Sequence, residues 1–207
     1  MARLLVATTN PAKLAEYRLL LRELQLETIS LREIGIVETP EESGATFAEN
    51  ALIKARFYFK RAGVATIADD GGLEIDALGG EPGVRSHRWL GGGENSDRAL
   101  VNEVIRRMEG VEASKRTARI RAVAALIYND GDEVRERTAE AAIEGIIAER
   151  AYPEIRPGFP YRAVLMLPER KQYLVELGDE EEAQISQRGV ALNMLWADLE
   201  RLARSYP

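Results

Sequence analysis

Two polar clusters stand where apolar runs stop. The first is Thr8-Thr9-Asn10 with Lys13, directly after the apolar segment Arg3 to Ala7. Hydroxyls, an amide and an ammonium at a strand-to-helix handover suit an anion, because backbone N–H groups and the helix dipole face outward there. A capped helix with a solvated lysine accounts for the same letters equally well. The second cluster is Asp69-Asp70, where the apolar run Val64 to Ala68 ends. Adjacent carboxylates at the carboxyl edge of an α/β sheet repel one another without a cation, and magnesium, with Glu42 or Glu49 completing an oxygen set, resolves the repulsion. The alternative is an Asp-Gly turn in which one carboxylate caps backbone groups. Lys54 lies amid alanines, where it either reaches a phosphate or extends into water. Together these residues make a set for metal-assisted phosphoryl chemistry.

The elements that must position them follow from pattern. Arg3 to Ala7 reads as a buried strand, and Asn10-Pro11 as the start of a helix that Leu14, Tyr17, Leu21 and Leu24 continue. An acidic loop, Glu38 to Gly44, precedes Thr46-Phe47-Ala48-Glu49, a capping-box spelling. The helix it opens has Ala48, Ala51, Leu52, Ala55 and Phe59 as its apolar face and closes at Gly63. Val64 to Ala68 is then a second buried strand that ends at the aspartates. Glycine-rich turns at Gly79-Gly80, Pro82-Gly83 and Gly91-Gly92-Gly93 lead to a helix from about Asp97 to Met108. Ala118 to Tyr128 and Val134 to Ile147 flank Asn129-Asp130-Gly131-Asp132 as a long β-hairpin. A strand pair near Val164–Leu167 and Gln172–Val175 precedes one closing helix lined by Leu192, Leu195, Leu199 and Leu202. Strand, helix, strand in succession is α/β logic.

Composition removes other chemistries. With 207 residues, 45% hydrophobic and 30% charged, the chain reads as one globular domain over 1–207, with a second lobe at approximately 115–150. The absence of cysteine excludes disulfides, zinc fingers, iron–sulfur ligation and thiol nucleophiles. His87 is the one histidine and is given no role. A net charge of −6 has the wrong sign for nucleic acid or an anionic membrane, so neither is expected as a partner. No apolar run reaches the ~18 residues of a membrane helix, and the short opening run is no signal-peptide core, so a cytoplasmic location is expected. The P-loop spelling GxxxxGK[ST] is absent.

In order and spacing the sequence resembles the inosine triphosphate pyrophosphatase family. The resemblance is carried by Thr8-Thr9-Asn10-Pro11-Ala12-Lys13, by Glu42-Ser43-Gly44-Ala45-Thr46-Phe47-Ala48-Glu49-Asn50-Ala51-Leu52-Ile53-Lys54-Ala55, by Ala68-Asp69-Asp70-Gly71-Gly72-Leu73, and by Ala77-Leu78-Gly79-Gly80-Glu81-Pro82-Gly83-Val84. Ile185-Ser186-Gln187-Arg188-Gly189 keeps the frame near the C-terminus. The resemblance implies an elongated, two-lobed α/β fold with a long mixed central sheet and a cleft between the lobes, usually as a homodimer using magnesium. It implies hydrolysis of non-standard purine nucleoside triphosphates (ITP, dITP, XTP) to the monophosphate and pyrophosphate. Thr8, Thr9, Asn10 and Lys13 would hold the substrate's phosphates, Gly71 would contact the substrate, and Glu42, Asp70 and Asp69 would hold the metal. Asp70 would also act as general base, and Lys54 would neutralise phosphate oxygens.

The base-recognition half departs from the family spelling. Phe-Gly-Tyr-Asp-Pro reads here as Phe159-Pro160-Tyr161-Arg162-Ala163, the family's Lys before Ile-Ser-His-Arg is Glu182, its His is Gln187, and Gly71 stands where a serine is usual. Phe159, Tyr161, Arg162, Glu182, Gln187 and Arg188 are the candidate base contacts. Arg162 and Glu182 are either a charge pair exchanged as a unit, or an outward strand residue and one more solvated acid of the run Asp179 to Glu182. Two other readings stand beside the first: the same reaction with a shifted base preference, and a nucleotide-binding module without turnover.

Overall fold

The computed structural model describes residues 1–91 and 95–204, so the turn expected at Gly92-Gly93 lies outside the described residues. Leu4, Leu5 and Val6 are all buried, so strand β1 (Ala2–Val6) has apolar contacts on both faces, as a strand inside a parallel sheet does. It pairs in parallel with β2 (Leu26–Ser30), Leu4 opposite Thr28, and with β3 (Ala65–Ile75), Leu4 opposite Ala65. The chain then builds the expected hairpin, β4 (Thr117–Asp130) and β5 (Glu133–Ile147), turning at Gly131 with φ 63°. Strand β6 (Leu165–Leu167) runs antiparallel to β5, and β7 (Gln172–Tyr173) antiparallel to β6. The order in the single mixed sheet is β2-β1-β3-β4-β5-β6-β7.

Helix boundaries follow their caps. Asn10 Oδ1 accepts the Ala12 and Lys13 N–H groups at 2.9 and 3.3 Å and starts α1 (Pro11–Leu20). Helix α2 (Phe47–Ala62) has the complete Thr46/Glu49 capping box and ends on left-handed Gly63. Helix α3 (Asp97–Arg107) is capped by the Ser96 hydroxyl. Three short helices close the chain: α4 (Asp179–Ile185), α5 (Gln187–Met194) and α6 (Trp196–Arg204).

Five expectations need correction. Helix α1 stops at Leu20, and Leu21 and Leu24 pack from the following turn. Strand β3 does not end at the aspartates; it runs through Asp69, Asp70, Gly71 and Gly72 to Ile75, which removes the Asp-Gly turn. The buried stripe of α2 is Phe47, Asn50, Ala51, Ala55 and Tyr58, rotated from the apolar reading because a polar Asn faces inward. The closing helix is broken at Leu195, whose N–H bonds Leu192 O in a tighter turn, although all four leucines are buried. The acidic run Asp179 to Glu182 is the first turn of α4, where acids complement the helix dipole.

The chain divides into two compact units. Unit 1 comprises Met1–Asp70, Ala122–Ala141 and Gln187–Pro207, with Leu4, Val6, Tyr17, Ile67, Leu126 and Leu199 in its core. Unit 2 comprises Gly71–Arg121 and Ala142–Ser186, around Leu73, Ile75, Leu100, Val104, Ile147 and Leu165. No helix among the described residues is long and apolar enough to cross a membrane.

Candidate active site

In unit 1, β3 carries Asp69 and Asp70 in consecutive positions, and consecutive strand residues project to opposite faces. Their partners differ accordingly. The repulsion expected between them is relieved by this alternation and by cations on each side.

Asp69 is 3% exposed. Its Oδ2 lies 3.1 Å from Lys13 Nζ and 3.0 Å from both Nε and Nη2 of Arg188. Arg188 also reaches Glu16 Oε2 at 3.2 Å through Nη1. Asp69 Oδ1 is buried and accepts no hydrogen bond, so the charge is balanced through Oδ2 and the surrounding cationic field. Burial pushes this carboxyl up, but Arg188, Lys13 and Lys54 together hold it well below the usual carboxylate range. Lys13, the expected phosphate ligand, is thus buried against an aspartate rather than solvated.

Asp70, 8% exposed, has both oxygens gripped by α2. Lys54 Nζ donates to Oδ1 at 2.9 Å and Asn50 Nδ2 to Oδ2 at 3.3 Å. The same ammonium reaches Glu42 Oε2 at 3.3 Å, from the acidic loop that precedes α2. Burial raises the Asp70 carboxyl from its ordinary value, Lys54 and Lys13 oppose this, and Glu42 adds to the rise. The Lys54 ammonium, penalised by burial, is nevertheless raised by Asp70 and Glu42 and remains a cation. Glu49, an alternative metal ligand, is occupied instead as the capping-box acceptor of the Ala45 and Thr46 N–H groups.

At the β1–α1 turn the free N–H groups expected for an anion are largely taken. Pro11 has none, and Ala12 and Lys13 donate to Asn10. Thr8 Oγ1 accepts from Asn10 N at 3.2 Å, which leaves its own O–H as a donor, and Thr9 is exposed. The lysines, Arg188 and the two aspartates act on one another electrostatically, so Lys13, Lys54, Asp69, Asp70 and Arg188 converge in unit 1. Gly71 follows Asp70 in the same strand. Gln187 is buried at the start of α5, beside Arg188. Asn50 was missed by sequence reasoning; the available signal was an amide one turn before Lys54.

Unit 2 holds the other candidates. Arg162 and Glu182 are not solvated: they are 3% and 4% exposed and form a two-pronged pair, Nη1 to Oε2 at 3.0 Å and Nη2 to Oε1 at 2.5 Å. Arg156 adds a second cation to Glu182 at 2.9 Å. The Arg162 guanidinium lies 3.7 Å from the Phe159 ring centre, covering one face of the ring expected to stack on a base. Tyr161 is buried and donates its hydroxyl hydrogen to Ser86 O.

The donor set in unit 1 fits a small hard cation. Glu42 and Asp70 aim carboxylate oxygens at one positive charge, the Lys54 ammonium, and magnesium is commonly held by one or two carboxylates with waters and substrate phosphates. Asp69, expected with them, is committed to Lys13 and Arg188. Among the described residues no three His, Asp or Glu side chains form an all-protein cage.

Comparison with known proteins agrees in outline. The family model described as the Ham1 family matches residues 4–198. A protein of Bacillus subtilis (strain 168) named dITP/XTP pyrophosphatase is 38% identical over 200 residues, 97% of this chain and 98% of that protein. A namesake from Thermus thermophilus is 39% identical over 193 residues, 93% and 89% of the two chains. The solved HAM1 protein from Coxiella burnetii superposes with a TM-score of 0.82 at 36% identity, covering 97% of this chain and all of that one. A match of that length, on a chain whose acids and lysines meet in one unit, makes this protein a member of the Ham1 family.

Proposed function

We propose that this protein is a magnesium-dependent nucleoside triphosphate pyrophosphatase that converts non-standard purine nucleoside triphosphates (ITP, dITP and XTP) to the monophosphate and pyrophosphate. The observation that carries the reading is the Lys54 ammonium bridging Asp70 and Glu42. Two carboxylates sharing a buried cation suit the cleavage of a phosphate anhydride. Magnesium, held by Glu42 and Asp70, would neutralise charge on the phosphate oxygens.

The chain's own residues account for the rest. Asp70 accepts a proton from the attacking water, a task helped by a carboxyl whose burial raises its basicity. Lys54 offsets negative charge on the phosphates, and Thr8 and Thr9 offer hydroxyl donors to them. Asp69 keeps the buried Lys13 and Arg188 charges in place. Base recognition falls, on the resemblance, to Phe159, Tyr161, Arg162, Glu182, Gln187 and Arg188. The buried Arg162–Glu182 pair supports the second reading, a shifted base preference, since donors and acceptors exchange places relative to the family spelling. A homodimer completes the proposal, and light scattering on the purified protein tests it.

Incubation with magnesium and a panel of inosine, xanthosine, guanosine and pyrimidine triphosphates tests the reaction and its preference. Pyrophosphate with monophosphate is expected, fastest from dITP or XTP. Stepwise orthophosphate release rejects the reading, and tight nucleotide binding without product replaces it with a binding module.

A further inference from the structure

Helix α2 turns two polar side chains toward β3. Asn50 and Lys54 are one helical turn apart and share a face. They divide the oxygens of one carboxylate between them: Lys54 takes Asp70 Oδ1 at 2.9 Å and Asn50 Nδ2 takes Oδ2 at 3.3 Å. Each then reaches back to the loop before the helix. Lys54 meets Glu42 at 3.3 Å, and Asn50 Oδ1 accepts the Gly44 N–H at 2.8 Å. The contacts close a ring through Asp70, Asn50, Gly44, Glu42 and Lys54. Asn50 is 1% exposed, and a buried amide is costly unless both its ends are bonded. An apolar residue would simply extend the stripe of Phe47, Ala51, Ala55 and Tyr58, but it would not hold the loop to the strand.

We propose that Asn50 is a positioning residue: it sets the separation and orientation of the Glu42 and Asp70 carboxylates by tying the loop, through Gly44, to the strand, through Asp70. The inference rests on the reading of those two acids as the metal-holding pair. Gly44 tests the tie from its other end. A Cβ there would meet Asn50 Oδ1 and Glu49 Cβ at 2.7 Å and Asn50 N at 2.9 Å, so Gly44→Ala must push the loop off the helix while Asn50, Lys54 and Asp70 stay intact.

The experiment uses the full chain and three measurements: Mn2+ affinity without nucleotide, from the electron paramagnetic resonance of free Mn2+; kcat and KM for dITP; and the thermal midpoint. Asn50→Ala is expected to weaken Mn2+ binding about tenfold and to lower kcat about 10- to 100-fold, with KM changed far less. Gly44→Ala should move both in the same direction. The double variant should lose less than the sum of the two single losses, because both substitutions cut one tie. Mn2+ affinity and kcat that stay parental while only the thermal midpoint falls would overturn the proposal, as would additive losses in the double variant. Should Asn50→Ala fail to fold, Gly44→Ala decides by the same readouts. If the parent releases no pyrophosphate from any nucleotide, the functional reading fails, but the Mn2+ titrations still decide on the tie. A parent that binds no Mn2+ rejects the tie as well.

Discussion

Asp69 and Asp70 are neighbours in one strand and both are buried, yet their surroundings push them in opposite directions. For each, burial favours the neutral acid. Around Asp69, Arg188 and Lys13 outweigh that cost, and the carboxyl is held low. Around Asp70, Lys54 is shared with Glu42, whose charge works against ionisation, and the carboxyl is raised. The lysines mirror this. Lys13 is lowered by burial, with Arg188 opposing what Asp69 gives back, while Lys54 is raised by two acids. The balance of partners sets the direction: two cations on the Asp69 carboxylate hold it ionised, whereas Asp70 shares its one paired cation with Glu42 and is left more basic.

The comparison breaks most directly at the two aspartates. Asp70→Asn should cut kcat about 10²- to 10⁴-fold, the usual contribution of a general base, with a far smaller change in the neutral-pH urea midpoint than Asp69→Asn, because Lys54 keeps Glu42. Asp69→Asn should instead strand two buried cations and cost about 3–5 kcal/mol in urea unfolding, as loss of one partner of a buried pair does. If Asp69→Asn lost only turnover and Asp70→Asn lost only stability, the assignment of roles would be reversed.

Glu182 extends the comparison to unit 2, for it too carries two cations, Arg162 and Arg156. It should behave like Asp69. Arg162→Asp and Glu182→Lys should each destabilise, and the double variant should recover about 0.5–3 kcal/mol of the summed loss. Recovery should stay incomplete, because Arg156 would then face Lys at 182. Purely additive losses, measured by urea unfolding, would mean the pair is not coupled.

What the sequence revealed, and what it hid, divides along the same physical line. Caps at Asn10 and Thr46, the turn at Gly131 and the apolar runs of β1 and β4 are local, and each set an element close to where it lies. The meeting of Asp70 with Lys54 was legible from residue types and the resemblance, though spacing alone left it open. Asn50 was hidden because an amide in a helix usually reads as solvent-facing, and only the position of Asp70 gives it an inward partner. The end of β3 was misplaced because Asp69-Asp70-Gly71-Gly72 has turn composition; cations from α1, α2 and α5 make two aspartates tolerable inside a strand. Lys13 read as a phosphate ligand or a solvated cation, and its pairing with Asp69 was hidden for the same reason: its anion comes from a strand more than 50 residues away.

The smallest effect expected is in pH dependence, and it has opposite signs for the two acids. Asp69 has a folded-state pKa below its unfolded value near 3.8, so its contribution to stability is complete above that value and is lost as pH falls below it. The deficit of Asp69→Asn should therefore be full near neutrality and shrink as the medium is acidified through the low folded pKa. Asp70 has a raised folded pKa, so its contribution is present below about 3.8 and lost as pH climbs through the folded value. Removing its ionisable oxygen should thus cost less stability at neutral pH than in acid, in metal-free buffer where no cation masks the charge. Urea midpoints of both Asn variants across the acid range, set against the parent, check the two signs together. Curves that diverge from the parent in the same direction would mean the neighbouring cations do not distinguish the two carboxylates.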